Sequence, residues 1–119
     1  MIDETILNEL TSMLGEESIQ RMLIVYTTEV EERLQVLTQV LQAAESANAV
    51  DFAEVEIQAH TLKSSSASFG AIEFSSQAEI LEHAAKAHDF STVIEQLRVV
   101  NDVGTKTLSF YSQRLAPQG

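Results

Sequence analysis

Proline is absent from Met1 to Ala116, and the chain's one proline, Pro117, stands near its end. An all-β domain of this size needs many tight turns, and tight turns draw on Gly, Pro and Asn. Only four glycines occur in 119 residues, and one of them is the terminal Gly119. That shortage argues against a sandwich or barrel. A helical domain needs few turns and fits. The hydrophobic fraction is 45%, so the chain should fold rather than stay disordered. Its length suits a single domain over residues 1–119, with one modest core.

The apolar residues repeat with helical spacing. A short first helix is expected from Thr5 to Leu14, with Ile6, Leu10, Met13 and Leu14 on one face and Gly15 as its stop. A long second helix starts at Glu16 or Glu17 and runs to about Ser46. Its stripe is Ile19, Met22, Tyr26, Val30, Leu34, Leu37, Leu41 and Ala44, in steps of three and four. Asp51 can cap a third helix, whose seam runs Phe52, Val55, Ala59, Leu62, Ser66, Phe69 and stops at Gly70. A fourth carries Phe74, Ala78, Leu81 and Ala85 and ends near Asp89.

The last helix, capped by Asp89 or Ser91, carries Val93, Leu97, Val100, Gly104, Leu108, Tyr111 and Leu115. Val99, Val103, Thr105 and Thr107 favour strands mildly, but the sustained three-four spacing outweighs that propensity. Gly104 costs about 1 kcal/mol against alanine mid-helix, and on the seam it should let a neighbouring helix come close. Connections of a few residues imply antiparallel neighbours. The expectation is an all-α, antiparallel, up-down-up-down four-helix bundle with a short N-terminal capping helix.

Charge narrows the function. Seven Lys+Arg against eighteen Asp+Glu give a formal net charge of −11, and the seven are scattered. A nucleic-acid binder needs clustered cations to neutralise phosphates, and anionic membranes are disfavoured for the same reason. The longest purely apolar run, Met22 to Val25, is far too short to span a bilayer. The acidic start Met1-Ile2-Asp3-Glu4 lacks the features of a secretory signal. Without cysteine there is no disulfide, thiolate zinc site or thiol nucleophile. A cytoplasmic location is the default. The start at Met1 and the end at Gly119 suit a stand-alone protein or an excised domain.

The one local oddity is Ser64-Ser65-Ser66 with Ser68, placed mid-helix where serine is not a first choice. It adjoins His60. That histidine lies one step off the seam, so its imidazole edge should reach water. Glu56, Lys63 and Ser64 stand at i−4, i+3 and i+4, on the same face. A neutral imidazole nitrogen is a fair nucleophile near pH 7, because the free side chain titrates at about 6.5. A nearby ammonium and hydroxyls can offset the charge of an incoming phosphoryl group. No Walker loop or glycine-rich phosphate cradle is present, so phosphate would have to come from, and go to, another protein.

The text from His60 to Ala71 resembles the signature of histidine-containing phosphotransfer (HPt) domains of multistep two-component relays. The family pattern is His-x-Leu-Lys-Gly-Ser-Ser-x-x-x-Gly-Ala. His60, Leu62, Lys63, Ser65, Ser66, Gly70 and Ala71 match it, and Ser64 replaces the usual glycine. Downstream, Phe74, Ala78, Leu81, Glu82, Ala84, Ala85 and Lys86 fit the family's next helix, and the resemblance spans essentially the whole chain. It implies a phosphoryl carrier. His60 would take the group from a receiver-domain aspartate, hold it on Nε2 and pass it to a second receiver. Lys63 would stabilise the phosphohistidine, and Glu82 would orient the ring. Ser64 and Gly70 would leave clearance for the partner. The partners implied are response-regulator receiver domains or a hybrid sensor kinase. Magnesium belongs to the receiver, so no cofactor or metal is expected in this chain, which works as a monomer. Docking is expected through apolar contacts around His60, with Thr61, Ser64 and exposed first-helix residues such as Ile6.

Two other readings stand beside this one. A non-catalytic helical adaptor would keep the bundle and make His60 incidental. A ferritin-like metal bundle needs Glu-x-x-His pairs, and Ile57, Ile80 and Ala85 occupy the places three before the histidines. His83 and His88 are five apart, do not form an i, i+4 metal pair, and are expected on the surface.

Overall fold

The computed structural model describes residues 2–115; Met1 and residues 116–119, Pro117 and Gly119 among them, lie outside. All regular structure among the described residues is helical: α1 (Glu4–Leu14), α2 (Glu16–Ala47), α3 (Phe52–Ser68), α4 (Ile72–Lys86) and α5 (Phe90–Arg114). The strand propensity of the last segment loses to its periodicity, as Val93, Leu97, Val100, Gly104 and Tyr111 all face the core.

Local chemistry sets the boundaries. Asp3, Asp51 and Asp89 each accept a backbone N–H of the helix they begin, from Thr5, Glu54 and Thr92 respectively, which satisfies donors no intrahelical carbonyl can reach. Gly15, at φ 89°, lets the chain turn sharply from α1 into α2. α2 ends at Asn48 and α4 is followed by His88, both in the left-handed region at φ 54° and 51°. Asparagine and histidine are both among the residues enriched there. The exposed His88 ring stacks on Phe52 with centroids 4.6 Å apart. His83 is exposed as well.

α2 packs against α3 and α5, α4 packs against the same two helices, and α1 lies on α2. The molecule is elongated, 46 × 27 × 19 Å. Between the long helices sits one core, with Leu23, Val30 and Leu37 from α2, Val55 and Leu62 from α3, Phe74 and Leu81 from α4, and Val93, Leu97 and Tyr111 from α5. At Gly104 the helices come close. A Cβ there would stand 2.8 Å from Leu34 Cδ1 and 3.0 Å from the Phe74 ring. No helix among the described residues is long and apolar enough to cross a membrane.

Two stripes differ from expectation. In α1 the residue buried in the core is Leu7; Met13 and Leu14 point to solvent and Ile6 is half-buried. In α2 Leu23 takes the inward place expected for Met22, which is exposed together with Ile24 and Val25.

Candidate functional site

α3 and α4 form the most extensive helix pair of the fold, and the site lies across them. Ala59, Ala78 and Ala85 are fully buried, and such small side chains let two helices approach closely. A short turn through Gly70 and Ala71 joins the pair. The Ser75 hydroxyl, one turn into α4, donates to the Lys63 carbonyl at 2.8 Å. This geometry brings Glu82 of α4 opposite His60 and Lys63 of α3.

Glu82 is the hub. Its side chain is 3% exposed, and both its oxygens are engaged. Oε2 stands 2.8 Å from His60 Nδ1, and Oε1 accepts from Lys63 Nζ at 2.7 Å. Lys86, one turn along α4, reaches Oε2 at 3.4 Å. Burial alone would raise the Glu82 carboxyl. The hydrogen bonds from Lys63 and His60 and the charges of Lys63 and Lys86 outweigh it and hold the group at about 2. Lys63 is raised in turn, chiefly by its hydrogen bond to Glu82.

An ionised carboxylate has no proton to give, so the proton between Glu82 and His60 sits on Nδ1. In the neutral ring Nε2 then carries the free lone pair. The His60 side chain is 61% exposed, so an outside group can approach that nitrogen. The result is an accessible imidazole whose Nδ1 is held by a buried carboxylate.

Three of the residues expected at the site, His60, Lys63 and Glu82, therefore meet. Thr61 is half-buried beside them, on the wall of a cleft of about 330 Å³ onto which His60 opens. Ser64 lies exposed on α3. Gly70 and Ile6 do not belong to this group. Gly70, at φ 88°, is buried, and its carbonyl accepts from Asp3 N at 2.7 Å. A Cβ there would sit 2.5 Å from Asp3 O and 3.4 Å from the Ile6 Cβ. Gly70 thus clasps the start of α1, and Ile6 lies half-buried beside that clasp. Lys86 was a residue the sequence signature did not single out for the site. Its i, i+4 spacing from Glu82 is the signal that points to it.

The Hpt domain family profile matches residues 21–103, the span that holds α3, α4, the Glu82 hub and most of α2 and α5. The chain belongs to the Hpt domain family and is a histidine-phosphotransfer intermediate of two-component phosphorelays. Among solved structures, histidine-containing phosphotransfer protein B from Pseudomonas aeruginosa PAO1 shares the fold. It superposes with a TM-score of 0.80 at 21% identity, over 96% of this chain and 93% of that one. Comparison with curated proteins gives no match.

Proposed function

We propose that His60 is the residue that carries the phosphoryl group. The observation that supports this best is the short Nδ1 contact to an ionised, buried carboxylate, which places the lone pair of the neutral ring on Nε2 of a side chain that is 61% exposed. In the forward step the Nε2 lone pair attacks phosphorus of a receiver's aspartyl phosphate. A P–N bond forms, the P–O bond to the aspartate breaks, and the electron pair leaves on that carboxylate. Positive charge grows on the imidazole as the bond forms, and Glu82 stabilises it through Nδ1–H. Lys63 keeps Glu82 in place and adds positive charge beside the ring. Transfer to a second receiver reverses the step.

In this reading residues 1–119 form one domain, the four long helices run up, down, up and down as an antiparallel bundle, and α1 caps one end. The protein acts as a monomer without a cofactor of its own, and magnesium stays with the receiver. Docking falls on α3 around Thr61 and Ser64 and on the neighbouring face of α2. There Met22, Val25, Tyr26 and Phe69 line an apolar groove of about 280 Å³ beside Ser65, which takes over the part expected of Ile6.

The test is transfer from a phosphorylated receiver to the wild type and to His60→Gln. Label on the wild type alone, lost in acid and kept in base, is the expected result. A His60→Gln variant that still takes label contradicts the assignment. Binding of receivers by both proteins with label on neither identifies an adaptor that kept the bundle and lost the chemistry.

A further inference from the structure

The cleft onto which His60 opens is walled by Glu56, Ile57, Thr61, Glu82 and Lys86, and Lys63 is not part of its lining. The two lysines also differ in how they are held. Lys63 is 27% exposed and fixed at 2.7 Å on Oε1 of Glu82, the oxygen that does not hold the histidine. Lys86 is 52% exposed and only loosely engaged at 3.4 Å, on the same oxygen, Oε2, that holds His60 Nδ1. Charge gives a second reason. Glu82 neutralises one cation, Glu56 adds a negative charge to the cleft wall, and a phosphoryl group arriving on Nε2 brings about two more. An ammonium on a flexible four-carbon stem, already in the cleft, is the group able to follow that charge.

We infer that Lys86 is the cation that contacts the phosphoryl group on His60, while Lys63 chiefly holds Glu82 in position. The inference rests on His60 being the carrier. It divides between two lysines a role that the sequence signature gives to Lys63 alone. When the phosphoryl group arrives, Lys86 Nζ leaves its long contact with Oε2 and donates to a phosphoryl oxygen across the cleft. Oε2 then serves Nδ1–H alone, just when the ring bears most positive charge. Such charge-assisted contacts are stronger than neutral ones.

The experiment labels the protein without a receiver, using phosphoramidate as donor. Nε2 attacks phosphorus, the donor's P–N bond breaks, and ammonia leaves with its electron pair and protons. Uptake is followed by phosphorus NMR in the wild type and in His60→Gln, Lys63→Met, Lys86→Met and Lys86→Arg, with folding checked by thermal unfolding. The signal is then titrated with pH. Lys86→Met is expected to take up phosphate about tenfold more slowly, the loss of one charge-assisted contact. The pH at which the bound phosphoryl group gains its last proton should rise by about one unit. Lys86→Arg should restore both, and Lys63→Met should move that titration less than Lys86→Met does. A Lys86→Met protein that matches the wild type in rate and titration overturns the role of Lys86 and leaves His60 untouched. A wild type that takes no label, or a His60→Gln variant that takes as much, overturns the carrier reading itself.

Discussion

Glu82 shows how one buried side chain sets the chemistry of a surface residue. It holds a proton on Nδ1 of an exposed imidazole and is kept ionised by two lysines. The same arrangement links the site to stability. Its folded-state value of about 2 lies below the value of about 4.3 in an unfolded chain. A depressed carboxyl stabilises the fold above the unfolded value, and that stabilisation is lost as pH falls through the folded one. Glu82→Gln should therefore cost about 2 kcal/mol at neutral pH, and the cost should shrink between about pH 4.3 and pH 2. Urea unfolding of both proteins across that range checks it; a gap that does not change with pH contradicts it. At this scale the sequence was legible where a motif fixes the residues, as for His60 and Lys63. It was not legible where neighbours are equally apolar. Ile6 and Leu7, or Met22 and Leu23, serve a local periodicity about equally well, and the partner helix decides which one is buried.

The helices were the most legible part. Aspartates cap α1, α3 and α5 where a side-chain acceptor is needed, and the three-four spacing of α5 prevailed over its valines and threonines. Gly104 lies on its seam because Leu34 and Phe74 leave no room for a methyl group. Gly70 belongs to the motif, and in the fold it meets the start of α1. Spacing places a glycine at the end of α3 without saying what comes to cover it, and the cover is the backbone of Asp3, 67 positions away in sequence and in hydrogen-bond contact. Gly70→Ala should therefore act on the clasp. The positive φ and the clash with Asp3 O predict a loss of about 2 kcal/mol and faster amide exchange in α1. Phosphoryl uptake from a small-molecule donor should stay within about twofold of wild type, given the distance of the clasp from His60, about 15 Å along α3. Protected α1 amides with impaired uptake would instead return Gly70 to the site.

The whole molecule carries −11, yet each of its seven cations has a carboxylate partner. Most of these pairs are exposed and contribute little to stability. Their effect is to leave no free basic patch that could draw an acidic partner over long range. Association with receivers should then depend on apolar contact around α2 and α3, and its rate should stay level or rise as salt screens the mutual repulsion. A stopped-flow rate that falls steeply with salt contradicts this.

Carriage by His60 requires that phosphate reside on one particular nitrogen of one particular histidine. It is tested most directly by nitrogen-phosphorus coupling in the phosphorylated, ¹⁵N-labelled protein. The expected result is a phosphoryl group bonded to Nε2 of His60, with Nδ1 still protonated and hydrogen-bonded to Glu82. A group bonded to Nδ1, or to any other residue, contradicts the claim.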